Sequence, residues 1–263
     1  MNGLLVYSKK DLKKNSEYIS WLVNEALKRN IKLEVTTDED IQTKGLSSLN
    51  SVDFVINRSR SYEISLLFEL NDIRVFNNSK VTLIGNNKLA AYDYAKKKGF
   101  KFPKLFLNFS DERQILIKPN EGHGGEGIHL VNEKHSMPCT KKLKQEFISD
   151  LIGDIRFYVI NNKIIKAVIR FSNEKIVSNY SQGGNFEVYD YSKGEEALIK
   201  KFMVGTTFDY VGLDFFLTKS HGLLFNEIED VVGSRMLSHL GINNTTELYL
   251  EHICSTIHRG KFK

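Results

Sequence analysis

Residues 115–131 read ILIKPNEGHGGEGIHLV: an apolar run closed by Lys118, a tip carrying Gly122, Gly124, Gly125 and Gly127, and a second apolar run. Glycine tolerates positive φ and lets backbone N–H groups come close to a ligand, while a lysine at the foot of such a loop supplies a point charge. The stretch therefore predicts a strand, loop, strand unit with an anion under its tip, and phosphate is the natural candidate. A plain hairpin with a glycine-rich turn satisfies the same residues. The string also contains G-x-G-x-x-G, which marks a dinucleotide-binding fold only where a helix follows. Residues 128–131 are short, apolar and strand-like instead. His123 in the tip has two readings, a phosphate contact or an ordinary solvent-facing histidine.

At 263 residues the chain can bury one large core or a few smaller ones. No apolar run approaches the roughly 20 residues of a membrane span, and residues 1–10 lack the layout of a secretory signal, so a soluble cytoplasmic protein is expected. Cys139 and Cys254 have no C-x-x-C partner and read as reduced thiols. A net charge of +5 is too modest to argue for nucleic acid, and Lys96, Lys97, Lys98, Lys141, Lys142 and Lys144 read as solvated faces.

Upstream of the glycine stretch, strand and helix signals alternate. Residues 4–7, 33–36, 52–57 and 73–76 read as strands. A helix over about 16–29 puts Tyr18, Ile19, Leu22, Val23 and Ala26 on one face, and Ser61 caps another that carries Ile64, Leu67 and Phe68. This alternation predicts a small, mostly parallel sheet with helices on its faces, in which ligands gather beyond the carboxyl ends of strands. Arg58 lies at such an end and is a candidate for holding a substrate carboxylate; the alternative is a loop arginine facing solvent. A helix over 86–98 closed by Gly99 and a strand at 105–108 lead into the glycine unit, and 132–140 reads as a connector.

Beyond residue 150 the pattern turns antiparallel. Strands at 154–160 and 163–171 are joined by Asn161-Asn162, a pair suited to a tight hairpin turn. Ser192 and Glu195 form a capping box for a helix with Leu198, Phe202 and Met203 inward. Strands at 210–217 and 223–228 precede a last helix over about 245–259, with Leu250, Ile253 and Ile257 on its core side.

Within 210–217, Val211, Leu213, Phe215 and Leu217 share one face, which leaves Asp214 on the other. A turn at 218–222 sets Asp214 opposite Glu227, with Glu229 on the same face. Three carboxylates then converge, an arrangement that needs a cation between them, and oxygen-only ligands select a hard ion such as magnesium. Separate pairing of each acid with a lysine or arginine is the alternative. His252 and His258 fall on different faces of the last helix and offer no zinc site.

In order along the chain, Lys88, the 115–131 loop, Gln145-Glu146-Phe147-Ile148, Asp154-Ile155-Arg156, Arg170, Asn179 and Asn226-Glu227-Ile228-Glu229 resemble an ATP-grasp ligase of the RimK-like glutamate ligase branch. The resemblance runs from about 77 to 241. It implies an α/β (α+β) ATP-grasp fold with a parallel N-terminal pre-ATP-grasp domain at 1–85, a central lid subdomain at 86–145 and a C-terminal antiparallel-sheet subdomain at 146–263. It also implies that Lys88, Lys118, Gly122, His123, Gly124, Gly125 and Gly127 hold ATP phosphates, and that Gln145, Glu146, Phe147 and Ile148 meet adenine. Arg156, Arg170 and Asn179 fall to the transferred phosphate or the substrate acid, with Lys118, Arg156 and Arg170 catalytic. Asp214, Glu227 and Glu229 fall to one or two magnesium ions, for which manganese can substitute.

Two departures stand out. The last metal position is usually asparagine and is Glu229 here, and the small-Pro-Gly turn usual after it is replaced by Val231-Val232-Gly233, followed by Ser234 and Arg235. Arg235 is left either to bind the acid substrate or to cap a helix. The implied reaction joins a small-molecule or peptide carboxylate to an amine through an acyl phosphate, with ADP and phosphate released. A small-molecule kinase and an ATP-binding module without turnover are the alternatives. No partnership with nucleic acid or membrane is expected, and a homo-oligomer is as compatible with the sequence as a monomer.

Overall fold

The computed structural model describes residues 1–46, 51–106, 114–122, 127–131, 142–171 and 185–260. Buried runs in the two central strands pair in parallel with their neighbours to make the N-terminal sheet, in the order β2-β1-β3-β4, from β1 (Asn2–Tyr7), β2 (Lys32–Thr37), β3 (Phe54–Asn57) and β4 (Arg74–Phe76). Between them lie α1 (Lys9–Lys14), α2 (Ser16–Leu27), α3 (Asp38–Lys44) and α4 (Tyr62–Glu69). Ser8, Thr37 and Ser61 open α1, α3 and α4, each side chain accepting a first-turn N–H. The helix expected over 86–98 is preceded by another: α5 (Ser79–Asn86) and α6 (Lys88–Lys97) meet at Asn87. That residue has an extended backbone and caps α6 by accepting from the Ala90 N–H at 3.0 Å.

The central antiparallel sheet has the order β5-β8-β6-β7, from β5 (Leu105–Phe106), β6 (Ile115–Pro119), β7 (His129–Val131) and β8 (Lys142–Glu146). The glycine stretch is thus flanked by two paired strands, as its pattern predicts. Strand β8 is an addition to the sequence reading. Its lysines mask an alternation in which Leu143 and Gln145 point inward.

The large antiparallel sheet has the order β11-β10-β9-β12-β13, from β9 (Leu151–Ile160), β10 (Lys163–Phe171), β11 (Asn185–Val188), β12 (Tyr210–Thr218) and β13 (Gly222–Glu229). Asn161 and Asn162 join β9 to β10 with φ of 52° and 55°, the left-handed pair a two-residue hairpin needs. The capping box of Ser192 and Glu195 opens α7 (Lys193–Met203). Its inward stripe is Ile199, Phe202 and Met203; Leu198, expected inward, is 44% exposed because it lies one residue off that stripe. After β13 come α8 (Arg235–His239) and α9 (Thr245–Gly260), the latter burying Leu250, Ile253 and Ile257.

One face of the large sheet packs Phe157, Phe215 and Phe225 against Phe202 of α7 and Tyr92 and Tyr94 of α6. Each such fully buried ring contributes about 2 kcal/mol. At one end of the opposite face, Tyr158, Ile160, Val168 and Tyr210 share a core with α9, α2 and the N-terminal sheet. The same boundary carries an ion cluster: Arg74 of β4 reaches both Asp209 oxygens at 2.6 and 2.8 Å, and His252 of α9 meets Asp209 at 2.7 Å. No helix among the described residues is long and apolar enough to cross a membrane.

Candidate active site

The two-residue period of the large sheet gathers its polar residues on the face opposite the aromatic core. Asp214 of β12 lies opposite Glu227 on β13, as the spacing predicts, and opposite Arg156 on β9. Arg170 of β10 lies opposite Asp154, and Glu229 opposite Gly212. Side chains complete the network. Arg156 donates from Nε and Nη2 to the two Asp214 oxygens, both at 2.7 Å. Arg170 Nη2 donates to Asp214 at 2.7 Å and to Asp154 at 2.6 Å. A Cβ at Gly212 would come within 3.0 Å of Arg156 Cδ and Nε, so glycine there leaves room for the guanidinium.

All four charged residues are 9% exposed or less. Burial acts to raise the Asp214 carboxyl, but Arg156 and Arg170 outweigh it and hold the group below its usual range. Asp154, with one arginine, stays raised by burial. Asp154 was quoted in the resemblance but given no role from sequence. Its signal was the D-x-R spacing with Arg156, which puts both on one face of β9.

Across from this network, Lys118 of β6 is buried, with Nζ 5.4 Å from the centre of the Phe216 ring of β12. Burial pushes its ammonium down to about 8; Glu227 works against that fall and Lys88 with it. Lys88, the first residue of α6, donates from Nζ to the Gly122 carbonyl at 2.6 Å. The Lys88 and Leu89 N–H groups hold Asn120 at 3.1 and 3.0 Å. Gly127 has φ of 71°, and a Cβ there would sit 2.9 Å from Pro119 Cγ, so glycine is required where the glycine stretch turns back. His123, Gly124, Gly125 and Asn179 lie outside the described residues.

Glu227 and Glu229 line a cleft with Asn86, Asn87, Lys88 and Gly122. Among the described residues no three carboxylates, histidines or cysteines converge on a metal position, so the three-acid cluster expected from sequence is not assembled. The reason is the capture of Asp214 by two arginines. The remaining pair still suits magnesium, which is commonly held by one or two carboxylates together with substrate phosphates.

In the segment expected to meet adenine, Gln145 is fully buried. Its Oε1 accepts from Tyr92 Oη at 3.0 Å, and its Nε2 has no partner among the described residues. The Glu146 N–H is committed to the Lys104 carbonyl at 2.8 Å, and the Phe147 N–H to that of Gln114 at 3.4 Å; Ile148 is half-buried. Arg58 is buried at the boundary between the N-terminal sheet and the large one, and Arg235 is exposed at the start of α8.

The sequence profile of the RimK-like ATP-grasp domain matches residues 85–252. The chain belongs to that family. Relatives of the family extend the likeness along most of the chain. The uncharacterized protein MG011 of Mycoplasma genitalium is 29% identical over 96% of this chain and 92% of its own length. The alpha-aminoadipate–LysW ligase LysX of Sulfurisphaera tokodaii is 23% identical over 78% of this chain and 82% of its own. The solved D-alanine–D-alanine ligase of Bacillus anthracis complexed with ATP shares the ATP-grasp fold at a TM-score of 0.70 and 12% identity, covering 99% of both chains.

Proposed function

We propose that this ATP-grasp protein is an ATP-dependent carboxylate–amine ligase that forms an amide through an acyl phosphate and releases ADP and phosphate. The observation that carries the reading is the meeting of two buried guanidiniums and a buried lysine on facing sheets, beside a cleft walled by Glu227 and Glu229. Phosphoryl transfer asks a protein for positioning and for fixed charge around the moving phosphate, and buried cations supply both. In this reading the three sheets divide the work within segments 1–85, 86–145 and 146–263. Lys88, Lys118, Gly122 and Gly127, with His123, Gly124 and Gly125, hold the triphosphate. Gln145, Glu146, Phe147 and Ile148 receive the adenine.

Arg156 and Arg170 orient the acid and the transferring phosphate, with Asn179 beside them. Glu227 and Glu229, with Asp214 when its arginines are otherwise engaged, hold magnesium, which neutralises phosphate charge when bound. The closed cleft keeps water from the acyl carbon, so that the amine takes it.

The test is a screen of acid and amine pairs for ADP release, with product mass recorded. ADP release that requires both partners, and an amide mass, is expected. A phosphorylated acid with no amide would make the protein a kinase, and bound ATP without ADP would make it a binding module. Lys118→Met is expected to lower kcat/KM by about a hundredfold, the size of losing one preorganised donor.

A further inference from the structure

Residues 62–89 carry a concentration of exposed apolar side chains. Of the ten large apolar side chains exposed among the described residues, five lie here: Tyr62 and Leu66 on α4, Leu70 at its end, Leu83 on α5 and Leu89 in the first turn of α6. Single exposed apolar residues are ordinary, but a cluster of them marks a contact surface. Leu70 is 75% exposed, more than any other large apolar side chain described.

The first two of these helices lie side by side and run in opposite directions. Glu69, at the end of α4, accepts from the Ser79 N–H at 2.7 Å and the Ser79 hydroxyl at 2.5 Å, at the start of α5. Further along, the Ser65 and Thr82 hydroxyls meet at 3.4 Å. Tyr62, Leu66 and Leu70 recur every four residues and so form one stripe. Leu66 and Leu83 each follow a member of the Ser65–Thr82 contact by one position. On antiparallel helices that step turns both outward, onto the two rims of one shallow groove.

The margins beyond those rims carry opposite charge. Glu63 is exposed on the outer side of α4 and Lys80 on the outer side of α5, and neither has an ion-pair partner among the described residues. Glu69, the other acid of α4, is already engaged by Ser79. The five apolar side chains expose on the order of 400 Å², a patch of the size that marks a contact on a monomer. A copy bringing its own patch makes that about 800 Å² before any polar rim is added, and a specific interface begins at about 1,000 Å².

We propose that the α4–α5 face docks a second copy of this chain, as a two-fold dimer in which each helix pair supplies half of an antiparallel four-helix contact. An antiparallel pair of eight-residue helices with an apolar groove is the shape that such a half requires. A two-fold axis parallel to the helices lays α4 of one copy on α5 of the other. It thereby sets the Glu63 margin of each beside the Lys80 margin of its partner, so the charges that flank the groove match under that symmetry alone. The inference stands apart from the ligase reading. Its reach extends to the cleft all the same, because Leu89 belongs to the turn of α6 that holds Asn120.

Sedimentation equilibrium on the full chain, over a concentration series reaching about 100 μM, tests it, since a contact near the lower size limit associates weakly. Wild type should pass from monomer to dimer within that series. L66E and L83E place a charge on each rim at positions the monomer leaves in water, so each should weaken the dimer at least about tenfold while circular dichroism stays unchanged. E63K and K80E should each weaken it by setting like charges together, and the double swap E63K/K80E should recover the wild-type constant to within about twofold. A monomer at every concentration overturns the inference and leaves the face to a different partner. A dimer untouched by L66E and L83E overturns it by placing the contact elsewhere, and a double swap that stays as weak as the single ones overturns the two-fold arrangement.

Discussion

At the scale of single residues, Lys118 has a titration inside the working pH range. Its ammonium is pushed down to about 8 by burial, so the charged form is complete below that value and is lost as pH rises through it. An anionic phosphate prefers the charged form. ATP affinity should therefore be flat below pH 7 and fall above pH 8, with proton uptake on binding in that upper range. Lys118→Arg, which stays charged, should flatten the profile; a wild-type affinity constant to pH 9.5 would refute the phosphate role. Lys118 was legible from sequence because it abuts the glycine stretch. The opposition of Asp214 and Glu227 was legible from a two-residue period and one turn. The capture of Asp214 by Arg156 and Arg170 was not, because it depends on β12 lying next to β9, residues about sixty positions away in sequence, and no local pattern encodes that neighbour. Arg58 was legible as a residue at a strand end but not as a buried one, since its burial comes from tyrosines on α2, β12 and α9.

At the scale of elements, the acidic strand is held in place by α5. A Cβ at Gly85 would lie 2.5 Å from Asp230 Cβ and 3.2 Å from its backbone nitrogen, so the helix can approach the end of β13 only with glycine there. Gly85→Ala is expected to lose about 2 kcal/mol by urea unfolding, in the range of overpacked contacts, and to weaken metal-dependent nucleotide binding because Glu229 adjoins Asp230. Full stability in the variant would mean the contact is loose. The elements that sequence announced carry their own signals: Ser61 and Ser192 as caps, Asn161-Asn162 as a turn, and alternation in β12. Those it concealed have mixed signals. Strand β8 looks like a lysine run, and α1 and α3 bury few side chains of their own. The boundary between α5 and α6 turns on one asparagine that serves as the end of the first helix and the cap of the second.

At the scale of the whole molecule, the N-terminal and large sheets share one core through α2 and α9 and are pinned by the Arg74–Asp209–His252 cluster. They should unfold together. Trp21, the sole tryptophan, sits on α2 and reports the N-terminal unit, while far-ultraviolet circular dichroism reports all of the chain. The two urea curves are expected to coincide, and Asp209→Ala, which strands an arginine and a histidine, should shift both by about 3 kcal/mol. Separated curves would show that the shared core does not couple the units. The arginine network has a consequence of the same reach. A carboxylate offers about four acceptor positions, and N–H groups of two guanidiniums already occupy three of those of Asp214. In the proposed reading Asp214 turns fully to a cation as its guanidiniums turn to another anion, an ion exchange that a nucleotide would complete. Manganese, followed by electron paramagnetic resonance, should bind at least about tenfold tighter with ATP present than the free metal does to the protein alone, and ATP should gain by the same factor from the metal. Arg156→Gln should raise the nucleotide-free metal affinity and shrink that reciprocity, whereas an unchanged pair of affinities would mean that Asp214 never leaves its arginines.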